Sequence, residues 1–245
     1  MTEVVFVGTS DAFGAGGRRH TALLVRGAAG SALLDCGPTT VSGLEALQIP
    51  RDSIDAIALS HFHGDHFGGI PSFLLGCLYE DGREQPLLIA GPAGVEERVR
   101  KLCDVFGFSI EGREWNFPIE FIELPAGHER NLGPIRVRSF EAHHQKEVVP
   151  HGLAVHCGEH RIVFTGDTGW FDQLPQEVGE ADLFICECTY YDRDFEFHLN
   201  YQQLLERRDQ FRCRRMVITH LGREMQALRG NCEFETADDG LVIRL

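Results

Sequence analysis

The stretch Ser60-His61-Phe62-His63-Gly64-Asp65-His66-Phe67-Gly68-Gly69 constrains this chain more than any other. An apolar run of strand length, Ile54-Asp55-Ala56-Ile57-Ala58-Leu59, leads into it. Ile70 to Leu78 follows as a helix that starts beside two glycines and Pro71. H-x-H-x-D-H therefore stands on a strand-to-helix loop, where a rigid scaffold can aim several side chains at one point. In an extended loop His61, His63 and Asp65 project to one side and His66 follows on the other, so the loop can feed two adjacent metal ions. Imidazole and carboxylate are ligands that zinc, manganese and iron accept. The plainer alternative is an exposed polar turn rich in histidine. Three histidines and an aspartate in six positions, framed by glycines, weigh against it.

The motif resembles the signature of the metallo-β-lactamase-fold hydrolases, nearest to their tRNase Z and cyclic-phosphodiesterase branch. The likeness runs from Val5-Phe6-Val7-Gly8-Thr9 to Asp239-Gly240. It implies an α/β fold, a four-layer αβ/βα sandwich of two similar halves with a metal site at one edge. Residues 1–245 would then form a single hydrolase domain.

Composition bounds the setting. A hydrophobic content of 43% supports a substantial core. No apolar run reaches membrane-spanning length, and Met1-Thr2-Glu3-Val4 has no basic, apolar signal pattern, so a cytoplasmic protein without membrane contact is expected. Eight cysteines without a C-x-x-C fit reduced thiols; Cys186 and Cys188 read as buried small hydrophobes. A net charge of -14 argues against nucleic acid as a partner, because that affinity rests on lysine and arginine. A small-molecule substrate is expected instead, and a homodimer is compatible with the sequence.

Glu3 to Gly8 reads as the first strand, and Thr21 to Val25 with Ser31 to Leu34 as a hairpin. The glycine-rich Thr9 to Gly17 reads as an ordinary turn, with lining of the site as the minor alternative. Asp35-Cys36-Gly37-Pro38 opens a helix; Asp35 is either its cap or a partner that holds a ligand histidine's tautomer. Strands are expected at Leu87 to Ala90, Phe117 to Leu124, Ile135 to Phe140 and Gly152 to His156, and an amphipathic helix at Pro92 to Phe106. The strand ending at Phe140 delivers His143 and His144. Arg161 to Gly169 is an apolar strand ending in T-G-D-T-G around Asp167, and Arg215 to His220 is another apolar strand with histidine at its end. Glu187 interrupts an apolar strand, so it must be paired, protonated or turned to a site.

Carried onto these positions, the resemblance gives His61, His63 and His144 to a first metal and Asp65, His66 and His220 to a second, with Asp167 bridging. His144 is preferred to His143 on its spacing to the following strand. Two divalent ions, zinc with manganese or iron as alternatives, would activate a bridging hydroxide that Asp65 orients and deprotonates. Cys186-Glu187-Cys188-Thr189 and His198-Leu199-Asn200 look like worn counterparts of the tRNase Z motifs H-E-A-T and H-S-T, whose glutamate–histidine pair assists leaving-group protonation. From His144 to Asp167 there is room only for two strands and a turn, not for the tRNA-grasping arm typical of tRNase Z. The expected activity is hydrolysis of a small phosphodiester. A thioester, other ester or lactone hydrolase of the same fold is the alternative, and a non-catalytic metal-binding module the second.

Overall fold

A strand that is apolar on both faces needs cover on both sides, and Glu3–Gly8 is such a strand: Val4 and Phe6 face one layer, Val5 and Val7 the other, all buried. The computed structural model describes residues 1–245. Strands β1 (Glu3–Gly8), β2 (Ala22–Gly27), β3 (Gly30–Leu34), β4 (Ala56–Ala58), β5 (Leu87–Gly91) and β6 (Ile119–Glu123) lie side by side in that order. A second sheet runs β7 (Glu129–Leu132), β8 (Ile135–Glu141), β9 (His151–Cys157), β10 (His160–Phe164), β11 (Leu183–Glu187), β12 (Met216–Thr219), β13 (Glu235–Thr236). β14 (Val242–Arg244) returns to the first sheet beside β1. Each sheet is antiparallel in its hairpins and parallel beyond them, from β3 to β6 and from β10 to β13. The two halves thus share a topology that has no counterpart as a repeat in the sequence.

Three apolar layers hold this together. Between the sheets, Phe6, Leu23 and Leu34 meet Val137, Leu153 and Phe164. Outside the first sheet, Leu24, Leu33 and Ile57 pack under α1 (Thr40–Ala46), α3 (Ile70–Tyr79) and α4 (Val95–Val105), the short α2 (Gly64–Phe67) lying just before α3. Outside the second, Val163, Phe184 and Ile218 pack under α5 (Leu174–Val178) and α6 (Tyr201–Arg207), with α7 (Arg223–Ala227) beyond. Burying one such side chain is worth about 1.5–3 kcal/mol. The result is the expected four-layer αβ/βα sandwich, the metallo-β-lactamase fold. All eight cysteines are unpaired, and no helix is long and apolar enough to cross a membrane.

The motif is not fully extended. After His63 the chain turns into α2, so Asp65 sits in a helical turn rather than on an extended loop. That turn is clamped onto the end of β3: Cys36 N donates to the His66 carbonyl at 2.6 Å and Gly69 N to the Cys36 carbonyl at 2.8 Å. A Cβ on Gly69 would stand 2.1 Å from the Gly37 oxygen, so only glycine allows this approach. α1 starts at Thr40, so Asp35 caps no helix. The polar strand β7 had no apolar pattern to announce it.

Candidate metal centre

Side chains at the carboxyl ends of β3, β4, β8, β10, β11 and β12 converge on one edge of the sandwich, where open α/β sheets place their ligands. His61, His63, His144 and Asp167 form one cluster, and Asp65, His66, Asp167 and His220 a second. In the first, His63 Nδ1 lies 3.2 Å from His61 Nε2 and 3.1 Å from His144 Nε2. Asp167 Oδ2 is 3.9 Å from His61 Nε2, whereas its Oδ1 is 3.2 Å from His66 Nε2 and 3.4 Å from His220 Nε2. Asp65 Oδ2 stands 3.3 Å from both His66 Nε2 and His220 Nε2. Asp167 therefore presents one oxygen to each cluster.

The outward-facing nitrogens settle which atoms are free. His144 Nδ1 donates to the Phe197 carbonyl at 2.8 Å, and His66 Nδ1 donates to Asp35 Oδ2 at 2.7 Å. The Ser60 hydroxyl donates to Asp35 Oδ2 and so accepts from His61 Nδ1 at 3.0 Å. Gln145 Oε1 accepts from His63 Nε2 at 3.0 Å, leaving Nδ1 of that ring facing inward. The inward nitrogens are those that would bind a cation once deprotonated; without one, burial opposes a charge on His66, but Asp167, Asp65 and Asp35 outweigh it and push that imidazole well above the ordinary histidine value. Burial, reinforced by neighbouring imidazoles, pulls His61 well below the ordinary histidine value. Burial opposes the charge on Asp167, but His220 and His66 outweigh it and hold the carboxyl well below the usual range. His66 Nε2 and Asp167 Oδ1 are buried without a hydrogen-bond partner, although such groups are costly to leave unsatisfied. This donor set fits two divalent cations. Asp35 and His220 both hold positive φ, 61° and 55°, so two strand ends carry backbone strain at the centre.

Glu187 and His198 stand beside these clusters. His198 Nδ1 lies 2.8 Å from Glu187 Oε1, which also accepts from Thr168 N at 2.8 Å. The other oxygen accepts from the Thr189 hydroxyl at 2.9 Å, and that hydroxyl in turn accepts from His220 Nδ1 at 3.0 Å. Burial works against the cationic form of His198, yet the Glu187 carboxylate more than offsets it and pushes the imidazole up to about 9. His143 is turned away: its side chain is half exposed and 3.6 Å from Glu196, because neighbours at a strand end point to opposite sides. Cys186 and Cys188 are buried under α5 and α6.

A cavity of about 860 Å³ opens over the centre. Asp11, Phe13 and Gly16 line it, so the Gly-rich segment is part of the site rather than an ordinary turn. Tyr190, Arg193, Phe195 and Arg223 also line it, and no motif in the sequence marks them. Between His144 and Asp167 lie a single 3-10 turn (Lys146–Val148) and the β9–β10 hairpin.

A family model described as "Beta-lactamase superfamily domain" matches residues 31–221, more than half of the chain. The chain is 36% identical over 124 residues to a Ribonuclease Z of Lachnoclostridium phytofermentans, covering 51% of this chain and 38% of that protein, well under two thirds of its length. It is 26% identical over 252 residues to a Ribonuclease Z of Bradyrhizobium diazoefficiens, covering 83% and 82%. Among solved structures, the metallo-beta-lactamase fold protein YhfI from Bacillus subtilis superposes with a TM-score of 0.79 at 22% identity over the whole of both chains. These relatives overturn the expectation of a small-molecule substrate without nucleic acid, since a ribonuclease acts on RNA. The physical reason is that net charge averages over a whole surface, while bound cations and a few arginines set the field where a phosphate sits.

Proposed function

The chain belongs to the β-lactamase superfamily, and we propose that it is a metal-dependent hydrolase that cleaves phosphodiester bonds of RNA. The observation that carries this reading is the pair of four-residue clusters sharing Asp167, with the Glu187–His198 pair at their edge. The kinship with Ribonuclease Z proteins supports RNA as the substrate class. Because both sheets feed one centre, residues 1–245 read as one hydrolase domain.

His61, His63, His144 and Asp167 would hold one ion, and Asp65, His66, Asp167 and His220 the other. Nitrogen-rich, oxygen-containing sets suit zinc, with manganese or iron as alternatives. Bound there, two divalent ions polarise phosphate oxygens and make water acidic enough to attack near neutral pH. The residues do the rest. Asp65, 3.3 Å from both His66 Nε2 and His220 Nε2, orients the attacking water and takes up its proton. As the water oxygen bonds to phosphorus, the bond to the leaving ribose oxygen breaks. His198, cationic through Glu187, gives that oxygen its proton from Nε2. General acid help of this kind contributes roughly a hundred- to ten-thousand-fold.

The test is metal-loaded protein assayed on a 3′-extended oligoribonucleotide, bis-p-nitrophenyl phosphate, a thioester and a lactam. Cleavage of the RNA and of the phosphodiester is expected. Turnover of the thioester or lactam with both phosphodiesters left intact would overturn the assignment.

A further inference from the structure

The segment between Glu187 and His198 holds an arrangement that neither the metal clusters nor the proton donor requires. Arg193 lies over two rings at once, its guanidinium carbon 4.9 Å from the centre of Tyr190 and 5.3 Å from that of Phe195. Phe195 stacks on His198 with ring centres 5.8 Å apart and planes 14° from parallel. His198 stacks on His220 at 5.7 Å and 13°. A column of flat groups thus runs outward from a metal-cluster histidine to a guanidinium in the cavity wall.

That guanidinium is free for a ligand. Asp192 and Asp194 flank Arg193 in sequence, yet it ion-pairs with neither, and the rings alone position its head. Its backbone is pinned separately, since Asn200 Nδ2 donates to the Arg193 carbonyl at 3.1 Å. Phe13, 90% exposed, lines the same cavity from a loop that the Asp11 carboxylate ties down through Phe13 N and Ala15 N. An exposed aromatic on a rigid loop and a planar cation backed by two rings are surfaces on which unpaired bases stack. The hydrogen bonds that read a particular base are not among them.

Resting on the RNA phosphodiesterase reading above, we propose that Tyr190, Arg193 and Phe195 form a nucleobase-stacking subsite for an unpaired nucleotide flanking the scissile phosphodiester. The subsite would favour single-stranded ends and tolerate any base. It would also set the scissile bond against His198, because the same column positions both.

A cycle of protein and RNA changes tests this. Binding of the metal-loaded protein to a fluorescent oligoribonucleotide, with a phosphorothioate at the scissile position, is read by anisotropy. An abasic replacement at each flanking nucleotide is compared in wild type, Arg193→Ala and Arg193→Lys. At one flanking position the abasic change is expected to raise the wild-type Kd about tenfold, the loss of one stacked base. Arg193→Ala should raise it similarly on intact RNA, and the two changes together should cost little more than either alone. Arg193→Lys, which keeps the charge but not the flat face, should behave like the alanine variant. Fully additive penalties, or full binding by the lysine variant, overturn the subsite. Hydrolysis of bis-p-nitrophenyl phosphate and RNA is followed in parallel. If RNA is hydrolysed while the penalties add, the subsite alone fails. If neither substrate is hydrolysed and no RNA binds, the phosphodiesterase reading fails and takes the subsite with it.

Discussion

Asp35 Oδ2 accepts from His66 Nδ1 at 2.7 Å and from the Ser60 hydroxyl at 2.8 Å, so one buried oxygen orients a histidine of each metal cluster. It reaches His66 directly and His61 through Ser60. The other oxygen accepts from Ser60 N at 2.7 Å, so the carboxylate cannot rotate without breaking a bond. Asp35→Asn replaces one acceptor by a donor and cannot satisfy both. Partners of this kind are worth roughly 10- to 100-fold in metal affinity. Chelator competition should show a zinc affinity weakened by about that factor; unchanged affinity would mean that Asp35 serves only the β3 turn.

His143 and His144 separate two kinds of strand-end histidine. His144 faces His63 and is fixed by the Phe197 carbonyl, while His143 is half exposed. His144→Ala is expected to lose one ion and almost all hydrolysis. His143→Ala should keep both. Metal analysis of the two variants decides, and the reverse pattern would invert the assignment.

How far the site was legible follows from how local each signal is. H-x-H-x-D-H needs only six residues, the ends of β10 and β12 show as apolar runs that stop just before Asp167 and His220, and β8 shows as an alternating strand that leads to His144. The turn within the motif leaves no mark in the sequence because α2 is a single turn, held by hydrogen bonds to Cys36 and by the close approach of Gly69 to Gly37, both far off in sequence. Thr189 links Glu187 to His220 through a hydroxyl, which no pattern distinguishes from an ordinary strand threonine. Arg193 is one charge among many until the fold lays it on Tyr190 and Phe195. The expectation of a partner other than nucleic acid fails for the same reason: a net charge of -14 says nothing about where the few cations stand.

Away from the site, Arg51 is a buried cation, 5% exposed, that holds α1 to the end of α3. Its Nε and Nη2 bind Asp81 at 2.8 and 2.9 Å, and it also bonds Glu45 and Glu80 at 2.8 and 2.7 Å. Glu45 and Glu80 are well exposed and re-solvate when the arginine is removed, so the cost falls below that of a fully buried pair. Arg51→Ala should therefore destabilise by about 2 kcal/mol, below the 3–5 typical of breaking buried pairs. Denaturant unfolding of the variant, with metal held constant, measures it; a change within 0.5 kcal/mol, the usual range for surface sites, would contradict it.

The last prediction concerns His198. An unactivated ester expels an alkoxide, a poor leaving group unless it receives a proton, whereas nitrophenolate leaves unaided. His198→Ala should thus slow an RNA or alkyl phosphodiester roughly a hundredfold or more and a p-nitrophenyl ester only mildly. The pH profile adds a second check. Because its pKa is raised to about 9, His198 carries its proton at neutral pH and loses it as pH climbs through that value. The positive charge of bound ions lowers that pKa, so the alkaline fall in rate should lie no higher than about pH 9. That limb should be present for the alkyl substrate, weak for the nitrophenyl one, and absent in the variant. Glu187→Gln removes the charge that raises His198 and should shift the limb to lower pH, provided metal content is retained. Equal losses on both substrates, with no change in the profile, would assign His198 to supporting the fold instead of transferring the proton.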